Sequence, residues 1–373
     1  MCGCANMQMC KCMDVHIIPH LHTGTFSSSK NLHICTSGYL HIYPYLHIKK
    51  TMILITGATG FLGSELARQL VGQGLPVRCI KRPTSIIPDL LKPYNDLIAW
   101  VEADIMDIYS LEAAFEGVTQ VYHCAAWVSL KSADKDAMIN VNVNGTANVV
   151  NVCLQYEARL VHVSSVAAIG DARPGELITE HHHLGSDCNT DGYAISKLES
   201  EMEVWRGIAE GLDAVIVNPS LIIGPNTGIE GSGQLFETVR KGLKFYTNGS
   251  IGFVAVEDVA KSMIALMNSD IKAERFIISA ENRDYKSLVA EIARNFNLPP
   301  PQKEAKPWMM ELAWRAAALL AAITGKTPAI DKVAAKSAGV QRNYDNAKLK
   351  KATGIVFKPI SQSITEICKR LKR

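Results

Sequence analysis

The chain has 373 residues, 47% of them hydrophobic, which excludes a disordered or fibrous protein and suffices for one large α/β domain or a domain with a smaller lobe. Its 39 basic and 36 acidic residues are spread along the sequence and leave a formal charge of +3, so no footprint for nucleic acid or an acidic membrane stands out.

Residues 1–51 differ from the rest. Cys2, Cys4, Cys10, Cys12 and Cys35 lie there together with His16, His20, His22, His33, His41 and His47, without helical or strand periodicity. Zinc binding is disfavoured because Cys2-x-Cys4 and Cys10-x-Cys12 are closer than usual structural-site ligands. No apolar run with a small-residue cleavage site marks a secretory signal. Met52 opens the first strand directly, so 1–51 is expected to be a disordered upstream extension with no role in the fold. Cys79, Cys124, Cys153, Cys188 and Cys368 are scattered singly, the pattern of reduced thiols in a cytoplasmic protein.

From Met52 the elements alternate. Met52–Thr56 is a short β-branched run, and Phe61–Gln73 carries apolar residues at helical spacing. Further strands are predicted at Val77–Ile80, Leu97–Val101, Val121–Cys124, Leu160–Val163 and Val215–Val217. Nearly all-apolar strands separated by helix-length stretches predict a doubly wound parallel sheet of Rossmann type over 52–220. After Val217 the alternation loosens, which predicts a smaller substrate-binding lobe over 221–373, with some segments returning to the sheet domain. Residues 308–323 form an apolar helix that is too short to span a bilayer and contains Glu311 and Arg315; burial or an interface is expected for it.

Thr56-Gly57-Ala58-Thr59-Gly60-Phe61-Leu62-Gly63 lies between the first strand and the first helix, where a dinucleotide pyrophosphate meets a helix N-terminus. The glycines are read as clearing side chains from the path of the phosphates. After the second strand an acidic residue would bind a ribose 2′-hydroxyl and an arginine a 2′-phosphate. The chain reads Lys81-Arg82-Pro83-Thr84 there, which favours NADP(H) and leaves NAD(H) possible. Asp104, after the third strand, is a candidate acceptor for the adenine amino group.

Tyr193 and Lys197 stand four residues apart, on one face of a predicted helix. A phenol titrates near 10 in water and serves as an acid–base group at neutral pH only beside a cation, which Lys197 can supply. Ser165 ends the fifth strand, on the side where parallel strands open to the ligand crevice. It is placed to hold a substrate oxygen while Tyr193 moves the proton.

These segments resemble, in order, the extended short-chain dehydrogenase/reductase family from Met52 to Arg373. The matching residues are the glycine turn, Ala103-Asp-Ile105, His123-Cys-Ala-Ala126, Val143-Asn-Gly-Thr146, Val163-Ser-Ser-Val-Ala-Ala-Ile-Gly170, Tyr193-x-x-x-Lys197, Asn218-Pro-Ser-Leu-Ile-Ile-Gly-Pro225 and Phe253-Val-Ala-Val-Glu-Asp-Val259. The resemblance implies an oxidoreductase with catalytic Ser165, Tyr193 and Lys197. It also implies a cofactor held by Gly57, Gly60, Phe61, Leu62, Gly63, Arg82, Asp104, Ile105, Ala125, Ala126 and Pro219, and a homodimer built on residues 133–155 and 191–210. Val166-Ala167 replaces the Asp-Glu pair of the family's sugar-nucleotide dehydratases, and Asn248–Gly252 lacks the diphosphate-binding arginine of many of its epimerases. The chain therefore looks closer to the dihydroflavonol-reductase and 3β-hydroxysteroid-dehydrogenase branch, which acts on apolar ring ketones or alcohols. Epimerisation of a nucleotide sugar is the alternative chemistry. A cofactor-binding sensor or scaffold is the alternative of another class, disfavoured because all three catalytic residues are present.

Overall fold

The computed structural model describes residues 51–129, 132–173, 175–185, 192–228, 231–324 and 339–372. The extension and zinc readings of the N-terminal segment lie outside the described residues, as does the thiol of Cys188.

The chain opens as β1 (Met52–Thr56), α1 (Phe61–Gly72), β2 (Val77–Lys81), β3 (Ile98–Glu102), α2 (Ile108–Ala114), β4 (Val118–His123), α3 (Lys135–Gln155), β5 (Arg159–Val163), α4 (Gly192–Ala209) and β6 (Ala214–Pro219). Alternate residues of β1 bury on opposite faces of the sheet. Ile53 and Ile55 pack with Leu66 and Leu70 of α1, whereas Leu54 packs with Val149 of α3 and Val204 of α4. A strand covered on both sides in this way must be apolar throughout, which is why the periodicity of two is missing from the sequence.

The central sheet has seven strands in the order β10-β6-β5-β4-β1-β2-β3, and every pairing in it is parallel. The strand order reverses between β1 and β4, so a crevice opens at their carboxyl ends, where such sheets bind ligands. The chain is thus a Rossmann α/β fold, as the strand pattern predicts. The strands from the second to the sixth differ from expectation at their ends by one to three residues. The third starts one residue late because Leu97 closes a 3-10 turn and is exposed, and the fourth starts three residues early, at Val118, where the polar Thr119 and Gln120 interrupt the apolar run that marks a buried strand.

Beyond β6 come β7 (Leu221–Ile223), α5 (Gly233–Arg240), β8 (Phe245–Tyr246), β9 (Ser250–Ala255), α6 (Val256–Met267), β10 (Glu274–Ile278), β11 (Glu281–Asp284), α7 (Tyr285–Asn295), β12 (Lys303–Glu304), α8 (Pro307–Thr324), α9 (Ala347–Thr353) and α10 (Ile360–Leu371). β7, β9 and β11 form a second sheet, and Phe236, Phe253, Ile292 and Ile364 build a separate core around it. α6 packs on α1, β10 pairs with β6, and α9 rests on both returning elements. In α8, Trp308 and Leu312 are exposed, so at these positions the apolar sequence does not mean burial within the chain.

Candidate active site

The turn between β1 and α1 is shaped by its own packing. Gly57 has φ +71°, and a Cβ there would lie 2.6 Å from the Ala125 nitrogen. A Cβ on Gly63 would stand 2.3 Å from the Gly57 carbonyl oxygen. These two glycines are therefore required by contact of backbone with backbone inside the protein, a reason separate from the approach of phosphates. Gly60 differs: it is exposed, caps α1 without a side-chain hydrogen bond, and a Cβ on it would meet only the Gly57 oxygen at 3.2 Å. Of the next two residues, Leu62 is buried, and the Phe61 ring lies against Gly224. A cavity of about 400 Å³ opens at this first turn, lined by Thr59, Gly60, Phe61, Ser64, Asn226 and Arg370 among others.

Thr56, the last residue of β1, ties the turn to the neighbouring strand end. Its hydroxyl accepts from the Ala125 N–H at 3.2 Å and is hydrogen-bonded to His123 Nδ1 at 2.7 Å, while His123 Nε2 meets Thr146 Oγ1 at 3.1 Å. Burial, and then the Lys197 charge, push the His123 imidazole down to about 3, so it is neutral. Asn142 closes the same corner. Its carboxamide accepts from Trp127 N at 2.7 Å, donates to Trp127 O at 2.9 Å and to Ser196 Oγ at 3.1 Å, and Ser196 in turn donates to the Tyr193 carbonyl. The segment carrying Ala125 and Ala126 is thereby fixed to the helix carrying Tyr193.

On the adenine side, Arg82 is exposed in the turn after β2, while the neighbouring Lys81 is paired with Glu102 at 3.0 Å. Asp104 accepts from Met106 N at 3.0 Å, so one of its oxygens serves a local turn. Ile105 is buried, and its side chain fills the space a Cβ on Gly145 would need.

Tyr193 sits in the first turn of α4, half-buried, with Lys197 one turn further along the same helix. Lys197 is buried, and its ammonium donates to the carbonyl of Val163, the last residue of β5, at 3.0 Å. Burial pushes Lys197 down to about 8, opposed by Cys124 and by the Glu201 carboxylate. Two residues past Val163, Ser165 is half-buried and begins the 3-10 turn Val166–Ala168, its hydroxyl accepting from Ala167 N at 3.1 Å; that turn packs against α4. Pro219 ends β6 beside it and is buried. The fold thus brings the carboxyl end of β5, the end of β6 and the first two turns of α4 to one corner of the crevice.

Several polar residues of this corner escape the sequence reading. Glu201 and Arg275 form a buried ion pair at 2.9 Å. Asn218 donates to the Ser165 carbonyl at 3.0 Å, and His162 lies beside His123 with ring centroids 5.2 Å apart. The available signal was their type: a charged or polar residue inside an otherwise apolar run is buried only with a partner or for a use.

Residues 53–279 match the NAD dependent epimerase/dehydratase family. A Synechocystis sp. protein with the provisional name dihydroflavonol 4-reductase is 30% identical over 321 residues, covering 84% of this chain and 92% of that one. Sterol demethylase protein B of Methylococcus capsulatus is 30% identical over 69% of this chain and 78% of its own length. Among solved structures, gox2253 superposes with a TM-score of 0.76 at 28% identity, covering 86% of this chain and 98% of that one. The chain belongs to the NAD dependent epimerase/dehydratase family and is an NAD(P)-dependent oxidoreductase of the extended short-chain dehydrogenase/reductase type.

Proposed function

We propose that the protein uses NADP(H) to reduce a ketone or aldehyde, or to oxidise the corresponding secondary alcohol, on an apolar ring substrate. The observation that carries this reading is the corner formed by Ser165, Tyr193 and Lys197 beside a glycine turn whose Gly60 leaves the amino end of α1 free of side chain. The cradle fits a dinucleotide: Gly57, Gly60, Gly63 and the first N–H groups of α1 would hold the pyrophosphate, Arg82 a 2′-phosphate, Asp104 and Ile105 the adenine, and Ala125, Ala126 and Pro219 the nicotinamide end. When bound, this cofactor supplies or accepts the hydride.

The chain's own residues supply placement and the proton. Ser165 Oγ donates to the substrate oxygen and orients it. Tyr193 Oη gives its proton to that oxygen in reduction and takes it back in oxidation. The Lys197 ammonium, fixed by the Val163 carbonyl, stabilises the phenolate left behind. Trp127 and Val128 are exposed on the loop after Ala125-Ala126, apolar surface suited to a ring substrate. The reductase and sterol-enzyme names of the relatives agree with that class. α3 and α4 pack together on one face of the sheet, and their outer surfaces are the proposed homodimer contact, with Met202 exposed there. A reducing, cytoplasmic setting suits Cys79, Cys124, Cys153 and Cys368, which are all free thiols.

Titration of the purified protein with NADPH and NADH, by intrinsic fluorescence, tests the cofactor, with Arg82→Ala as control. Preference for NADPH that is lost in the variant is expected. Turnover is then sought with a dihydroflavonol, a 3-ketosteroid and an aryl aldehyde, reading NADPH oxidation. Tightly retained cofactor with conversion of a nucleotide sugar and no net NADPH oxidation would replace this reading with epimerisation.

A further inference from the structure

One helical turn beyond Lys197, on the same face of α4, the Glu201 side chain is 2% exposed and accepts four side-chain hydrogen bonds. Its Oε2 accepts from Ser164 Oγ at 2.8 Å and from Asn218 Nδ2 at 2.8 Å. Its Oε1 accepts from Arg275 Nη1 at 2.9 Å and from Trp205 Nε1 at 3.3 Å. Asn218 Nδ2 also donates to the Ser165 carbonyl at 3.0 Å. Its own amide oxygen is buried without a partner among the described residues, so the amide is oriented by what it donates to. Arg275, on β10, donates to the carbonyl of Glu180 through Nε at 2.9 Å and Nη2 at 2.6 Å, and to that of His182 at 2.8 Å, pinning the chain shortly before α4.

A buried ion pair is a poor source of net stability, because taking both charges out of water offsets most of their attraction. What it supplies is a fixed arrangement, and here that arrangement joins the strand end bearing Ser165, the strand end bearing Pro219 and the helix bearing Tyr193 and Lys197. We infer that Glu201 is a positioning residue for the hydride-transfer site, acting through Asn218 and Ser164 to hold Ser165 at the oxygen of the substrate. This rests on the role proposed above for Ser165.

The two ideas separate in a double-mutant cycle on the full chain, with NADPH and the fastest-reacting of the three carbonyl probes. Glu201→Gln keeps the shape but presents an amide where an anion accepted four donors. It is expected to lower kcat by about tenfold or more while KM and the NADPH Kd stay within about twofold. The same substitution made in Ser165→Ala is expected to lower kcat little further. A folded Glu201→Gln protein with kcat within about twofold of wild type, or an equal loss with and without Ser165, overturns the inference. Should Glu201→Gln not fold, Asn218→Ala, which leaves the Glu201–Arg275 pair intact, is judged by the same criteria. Full turnover in Ser165→Ala refutes the serine role itself, and this inference with it, whereas loss there without loss in Glu201→Gln refutes only the inference. A crystal structure of Glu201→Gln reads out independently of turnover: displacement of the Ser165 backbone by about 0.5 Å or more is expected, and an unmoved Ser165 overturns the idea.

Discussion

At the amino end of α1 the site is made of backbone, whereas along α4 it is made of side chains held in the interior. Gly57 and Gly63 are set by contacts that any Cβ would break, and no titratable group takes part in them. On α4 the reverse holds: Lys197 and Glu201 are charged groups buried at 5% and 1% exposure, kept there by carbonyls and an arginine. The difference separates two ways of building a binding corner. The glycine turn is sterically fixed and works by leaving space, so its substitutions act through fold and affinity. The α4 face stores an electrostatic cost that only chemistry repays, so its substitutions trade turnover against stability.

The sharpest test of that division is Tyr193→Phe, which removes one oxygen from a half-buried ring. Loss of a positioned acid–base group costs about 10²–10⁴ in rate, so kcat is expected to fall by that factor with NADPH affinity and thermal midpoint nearly unchanged. Retained turnover would remove tyrosine from the mechanism. Next in size is Gly63→Ala. The added Cβ meets backbone at 2.3 and 2.8 Å, which cannot yield as a side chain can, and a loss of about 3 kcal/mol or more is expected in denaturant unfolding. Gly60→Ala is the matched control, since its Cβ would meet a single backbone atom, the Gly57 oxygen, at 3.2 Å; it should lose far less stability than Gly63→Ala yet bind NADPH more weakly. Equal stability losses in the two variants would erase the distinction drawn between the glycines.

Most of this site was legible in the sequence because its signals are local. A β-branched run, three glycines and a helical period identify the turn without reference to anything distant, and Tyr193 and Lys197 carry their geometry in their spacing. The carboxyl end of β5 was legible too, since parallel strands all open to the same side. Glu201–Arg275 was not: its partners are 74 residues apart and meet only because β10 returns to pair with β6. The return of some segments is expected, but which ones is not: Glu274–Ile278, which begins with two charged residues, is not among the predicted strands. The reason for Gly57 was hidden in the same way, because the atoms it must avoid belong to Ala125, beyond β2 and β3 in the chain.

Lys197 sharpens the comparison from the side of stability. Its pKa in the folded, cofactor-free protein is about 8, below the value near 10.4 of a solvated lysine. The unfolded chain therefore binds the proton more tightly between those values, and stability rises with pH across that window. Below pH 8 the full cost of the buried charge is present. Lys197→Met removes it, so the variant is expected to be inactive yet more stable than wild type by about 1–3 kcal/mol at pH 7, allowing for the lost bond to Val163. The gain should vanish as pH rises from 8 to about 10.4. A variant less stable than wild type at pH 7 would show that Lys197 is held without cost, and the contrast with the glycine turn would fail.

The smallest effect concerns the two histidines beneath the site, which separate polar burial with partners from polar burial without. His123 has Thr56 and Thr146, whereas both ring nitrogens of His162 lack a partner among the described residues. Burial pushes both imidazoles down, His123 to about 3, and the nearby Lys197 charge adds to the effect on each. As the pH falls below about 6.5 the unfolded chain takes up protons that the folded one refuses, and each such histidine removes about 1.4 kcal/mol of stability per pH unit. His162→Leu should therefore lessen the acid slope by about one histidine's share, and cost little at pH 8 because it abandons no hydrogen bond. His123→Leu should lessen the slope as much but lose about 1–3 kcal/mol at pH 8, since it leaves two buried hydroxyls with one partner fewer. Urea unfolding of both variants at pH 5.5 and pH 8 decides the matter. An unchanged slope in His162→Leu would mean that His162 is protonated in the folded protein, and that its surroundings supply the anion or water that such a charge requires.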